Sequence, residues 1–202
     1  MLAQNQDVHA RILQGPEDDP QVLQAMSKVG FLDVPAAMSR LRRVAGDDTA
    51  IRVFGAVLPH LFLSLGEQAD PDHVLLSFER FVQNFADRAA LYVFLRDNPR
   101  ATEILVRLFA GSQFLTEILL VNPRYLELLA QHRRLSDVKS QPQFRAEAGE
   151  AIAGIKDPDE QLNALRRFQR WELLRIGVCD FFGRFDLKRV TVQLSLLADA
   201  MI

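Results

Sequence analysis

Cysteine occurs once in the 202 residues, at Cys179, so no intrachain disulfide can form and a stapled, secreted fold is excluded. The opening stretch from Met1 to Gly15 is polar where a signal peptide needs an apolar segment. The most apolar window, Ala56 to Leu65, is interrupted by Pro59 and His60 and falls short of the roughly 20 residues that span a bilayer. A cytoplasmic protein without a membrane partner is the expectation. Charge of one sign is also scarce: the net charge is -2 and the pI about 6.1, so the basic field of a nucleic-acid binder is missing and no DNA or RNA partner is expected. Asn-Gly and Asp-Gly turns are absent, and no period-two run is bounded by turn residues, which leaves little room for strands.

What the chain does have is apolar material, 49% against 25% charged, enough for a sizeable core. It also has helix punctuation. Asp19-Pro20, Asp70-Pro71, Asn98-Pro99, Asn122-Pro123 and Asp157-Pro158 each place an Asx before a proline. The Asx oxygen can accept from the first free amides of a helix, and proline fits the first turn because its missing N–H has no partner there. Their spacings of 51, 28, 24 and 35 residues define no solenoid period, although Asn-Pro-Arg occurs at both 98–100 and 122–124. Val53 to Leu65 reads as a helix kinked or broken at Pro59, and Val74–Phe85 with Ala89–Leu95 as a helix pair. Two amphipathic stripes close the chain: Phe168, Trp171, Leu174, Val178, Phe181 and Phe185, widened by Leu173 and Ile176, and then Leu187, Val190, Leu194, Leu197 and Met201. The fold class is therefore all-α, an irregular multi-helix bundle with two long C-terminal helices. Arg134 to Gln143 is the best linker, separating a front bundle from those helices within a single helical domain spanning 1–202.

Chemistry is sparse. There is no phosphate-binding G-x-x-x-x-G-K-[ST] loop, no G-x-G-x-x-G turn and no H-E-x-x-H, and His9, His60, His73 and His132 are scattered. Two Asp-x-Asp matches, Asp70/Asp72 and Asp157/Asp159, could hold magnesium, but a helix cap followed by an acidic first turn accounts for both. Cys179 lies in an apolar helix and reads as a buried small hydrophobe, not a thiolate nucleophile. Arg166, Arg167, Arg170 and Arg175 form a basic strip. Such a strip serves as a solvated or ion-paired face, here with Glu172 or Asp180, or alternatively contacts a phosphate, a partner or a neighbouring domain. Arg40, Arg42 and Arg43 form a smaller cluster.

The run Leu165 to Ile176, then Asp180, Asp186-Leu187 and Val192 to Ala200, closely resembles the bifunctional glutamine synthetase adenylyltransferase / adenylyl-removing enzyme family. So does the stretch from Gly111 to Leu115 through Asn122 to Leu129, where the resemblance implies a serine-capped helix leading into a short Pro-started one. The resemblance covers about 98–202, whereas residues 1–97 carry no family signature and read as extra helices. It implies control of nitrogen assimilation by attaching AMP to, and removing it from, a tyrosine of glutamine synthetase. The partners it implies are glutamine synthetase and an adjacent nucleotidyltransferase domain. In that family a Gly-rich turn and Asp-x-Asp aspartates hold magnesium and ATP, and the matching positions would follow Ile202. The resemblance thus carries over no catalytic, cofactor or metal residue, and ATP and magnesium are implied only for the longer enzyme. The expectation is a helical front region of such an enzyme, prone to self-association in isolation. A free-standing helical interaction module is the alternative.

Overall fold

A computed structural model describes residues 2–131 and 135–201, with side chains from residue 8 onward. Among the described residues there are twelve α-helices and no strand, so the protein is all-α. The Asx-proline signals act as caps at three of their five positions. Asp19 accepts from the amide of Gln21 (2.8 Å) ahead of α2 (Pro20–Val29), Asp70 from His73 (2.9 Å) ahead of α5 (Pro71–Gln83), and Asp157 from Asp159 (3.3 Å) ahead of α11 (Pro158–Phe181). The two asparagines differ because an amide also carries a donor. Asn98 turns its Nδ2 back to the carbonyl of Phe94 (2.9 Å) at the end of α6 (Arg88–Asp97), just before α7 (Pro99–Gly111). Asn122 closes α8 (Gln113–Val121), and α9 (Tyr125–Gln131) starts three residues later, not at Pro123. Both asparagines hold nearly the same backbone conformation, φ -129 and -130 with ψ 74, but the helix resumes at once after Asn98 and only after a turn at 123–124 beyond Asn122.

The chain forms two compact units, Met1–Ala130 and Gln131–Ile202. In the first, α4 (Asp48–Leu65) lies at the centre and packs against α1 (Leu2–Gln14), α6 and α7, while α3 (Val34–Ala45) packs on α5 and α1. Asp47 caps α4, which runs through Pro59 without a break; the proline faces solvent, and Gly55, one turn back, has open space where a side chain would stand. By length and composition α4 is the one helix among the described residues that could cross a membrane, a longer apolar element than its Ala56–Leu65 portion suggests. In this fold it is a core helix: Phe54, Val57, Leu58, Leu61 and Leu65 are fully buried. Phe54 stacks at 6.4 Å on Phe78 and lies 4.8 Å from Tyr92, whose hydroxyl donates to the Val44 carbonyl. Truncating such a ring costs about 3 to 5 kcal/mol.

In the second unit α10 (Gln141–Ile152), α11 and α12 (Leu187–Ala200) each pack on the other two. Its core holds Phe144, Leu174, Ile176, Val178 and Leu197. The expected stripe on α12 is buried only in part. Leu197 is buried and Val190 and Met201 are half-buried, but Leu187 is 81% exposed and Leu194 is exposed, and the helix buries Gln193 beside Leu197.

Candidate functional site

The four arginines of α11 do not make one strip. Arg166 is exposed and reaches only Asn163 (3.2 Å), Arg167 pairs with Glu160 (2.7 Å), and Arg170 is exposed. Arg167 holds the Glu160 carboxyl below the usual carboxylate range. Arg175 lies on the other side of the helix and is 1% exposed, because one helical turn separates positions that differ by three or four, whereas Arg166 and Arg175 differ by nine. The exposed arginines of α11 among the four are thus Arg166, Arg167 and Arg170. Of the two carboxylates the sequence offers as partners, Glu172 takes Arg175, with Nε 2.8 Å from Oε2.

That pair is the centre of a buried polar network. Glu172 also accepts from Lys139 Nζ (2.8 Å), which in addition binds Glu147. Gln193 accepts from Arg175 Nη2 (3.3 Å) and from the Lys139 amide (2.9 Å), and its own Nε2 donates to the Lys139 carbonyl (2.7 Å). Glu172 and Gln193 are wholly buried. Each buried charge has a counter-charge and each amide a partner, which is the condition under which a polar cluster fits inside a core. Sequence reasoning missed Lys139 and Gln193. A signal existed in Gln193, a polar residue at a core-facing register of α12, but its partner lies 54 positions earlier.

The other candidates are committed to the fold. Asp70 and Asp157 are caps, and Asp72 accepts from the Leu32 amide (2.8 Å), fastening the turn ahead of α3 to α5. Arg40 and Arg43 both bind the buried Glu79, at 2.9 and 2.7 Å. Hydrogen bonding from Arg43, reinforced by Arg40, keeps the Glu79 carboxyl below its ordinary range against the opposing effect of burial. Arg42 donates to the carbonyls of Ile12 (3.2 Å) and Gly15 (2.7 Å), serving the end of α1, and pairs with Glu17 (3.0 Å). Cys179 is buried and its thiol donates to the Leu135 carbonyl (3.2 Å). His60 and His73 are exposed, and His132 lies outside the described residues, as does Arg134 of the linker. His9 packs edge-on against Phe62 at 5.6 Å and lines a cleft with Arg11, Lys28 and Glu67; its Nδ1 is buried without a partner and burial lowers its pKa.

Ser112 caps α8 through the Leu115 amide (3.3 Å), the serine-capped helix that the resemblance implies. Residues 102–202, half of the chain, match the glutamate-ammonia ligase adenylyltransferase family. Similar proteins include the bifunctional glutamine synthetase adenylyltransferase/adenylyl-removing enzymes of Pseudomonas putida, 28% identical over 92% of this chain, and of Thioalkalivibrio sulfidiphilus, 25% identical over 98%. The enzyme of Corynebacterium glutamicum is 26% identical over 88%. The likeness therefore extends into residues 1–97, where no motif marks it. These alignments cover 20%, 21% and 17% of the respective relatives, so the chain spans about a fifth of their length.

Proposed function

The chain belongs to the glutamate-ammonia ligase adenylyltransferase family, and from that premise we propose that it is a non-catalytic helical region which packs against a nucleotidyltransferase domain and helps hold glutamine synthetase. Its role is then regulatory, in cytoplasmic nitrogen assimilation. The observation that carries this reading is the family match from Thr102 to Ile202, which takes in α7 through α12. Support comes from how the reactive side chains are used. Asp70, Asp72 and Asp157 serve backbone amides, and Glu79 and Glu172 are each bound by basic side chains, so these carboxylates are engaged in building the fold. ATP and magnesium belong, in this reading, to the nucleotidyltransferase domain. Exposed Arg166 and Arg170 offer cations for a docked domain or partner, where guanidinium forks match carboxylates.

The test is to incubate the purified chain with ATP, magnesium and glutamine synthetase and to follow AMP transfer and phosphorolysis. The expected result is neither reaction, together with binding of the chain to glutamine synthetase or to a relative's nucleotidyltransferase domain supplied separately. AMP transfer by the chain alone overturns the non-catalytic reading. Failure to bind either protein overturns the docking role.

A further inference from the structure

Residues 137–139 are neither helix nor strand, and Leu135, which opens the segment, is buried. Irregular backbone lying on a core must find hydrogen-bond partners. Here α11 and α12 supply them through side chains. Arg175 Nη1 donates to the carbonyls of Leu135 (2.9 Å) and Asp137 (3.0 Å), and the Cys179 thiol donates to that of Leu135. Gln193 takes the amide of Lys139 and donates to its carbonyl, the pairing a neighbouring strand would make. Among the described residues no backbone-to-backbone hydrogen bond joins 135–139 to a helix.

Lifting this segment would therefore leave every bond within α10, α11 and α12 in place. It would also orphan no charge on the helices, because Arg175 and Glu172 are paired within α11 and keep each other when the segment leaves. Lys139 takes its own charge into water. The cost of release is thus confined to the anchoring side-chain bonds, the Lys139 ion pairs and the exposure of Leu135, less than the cost of unfolding three helices. We propose that residues 135–139 form a strap that opens from α11 and α12 as a unit while the helices stay folded, with Gln193 and Arg175 as its catches and the Cys179 thiol as the group it uncovers.

The sole cysteine makes the opening readable. Cys179 of the full chain is labelled with an aromatic disulfide reagent across a urea series, while the fluorescence of Trp171, the one tryptophan and also on α11, follows unfolding of the helices. The strap predicts labelling whose urea dependence is much shallower than that of unfolding, since little surface is exposed. Gln193→Ala, which removes two backbone anchors, should raise the labelling rate about tenfold or more. Ala148→Gly, a helix-interior change on α10, should lower the unfolding midpoint and leave labelling unchanged, because closed and open forms both contain that helix. If labelling instead shows the full urea dependence of unfolding, and Ala148→Gly accelerates it in step with the lost stability, the thiol is reached only by global unfolding and the strap does not exist. The urea series on the unsubstituted chain decides this even where a variant fails to fold.

Discussion

Arg175 and Glu172 form an ion pair one turn apart on α11, at 2.8 Å, with side chains 1% and 0% exposed. Removing Arg175 leaves the buried Glu172 with Lys139 as its remaining counter-charge, and breaking such a buried pair costs up to about 3 to 5 kcal/mol. Arg175→Met should therefore lower the urea midpoint of the Trp171 transition by an amount of that order. Arg166→Met and Arg170→Met, at exposed positions on the same helix, should stay within about 0.5 kcal/mol of the parent. Equal effects at all three positions would contradict the division of the basic residues into a buried member and a surface set.

That division marks the boundary of what the sequence made legible. Caps at Asp19, Asp70 and Asp157 were readable because the interaction is local, closing within three residues. The corner at Asn122 was not, since the same side chain type can end one helix as readily as start the next. The burial of Gln193 in place of Leu194 depends on Lys139, far away in the chain, and periodicity alone cannot see it. α4 runs uninterrupted with Pro59 on its exposed side, a placement that the proline's presence in the sequence does not reveal. The candidate site was legible as a family likeness over the C-terminal half, while in residues 1–97 the likeness has no short motif to carry it.

His9 should make the first unit sensitive to mild acid. Burial lowers its folded pKa below the ordinary 6.5, so the unfolded chain binds a proton that the folded chain resists. Stability is then full above pH 6.5 and falls as the pH drops from 6.5 toward the folded value. His9→Phe keeps the edge contact with Phe62 and removes both the titration and the unpartnered Nδ1. Its denaturation midpoint, measured at pH 7.5 and again at 5.5, should move less than that of the parent chain. A parent chain equally stable at both values would refute the assignment.

Glu79 sets a second, lower window. Its carboxyl, held by Arg43 and Arg40 and little exposed, has a folded pKa below the ordinary 4.5. The stability it contributes is present above 4.5 and lost as the pH falls through the folded value. Glu79→Gln should cost about 1 to 3 kcal/mol at pH 7, the scale of hydrogen bonds to charged groups. The gap between variant and parent should narrow steadily below pH 4.5 in thermal melts. A gap that persists undiminished at pH 2.5 would assign the loss to packing instead of charge.

The exposed face of α12 bears on how the isolated chain behaves in solution. Leu187 and Leu194 lie two turns apart on one side of the helix, 81% and 39% exposed, with half-buried Val190 between them. Apolar side chains aligned in this way gain from being covered, and in a solution of the chain alone the available cover is a second copy. Sedimentation should show mass rising with concentration for the parent chain. The double change Leu187→Glu with Leu194→Lys should abolish that rise, and because both sites are exposed it should shift stability little. If the parent chain stays monomeric at high concentration, this stripe does not drive association. If the double variant associates as strongly as the parent, the contact lies on another surface, and the exposed positions Arg166, Arg167 and Arg170 of α11 become the next to substitute.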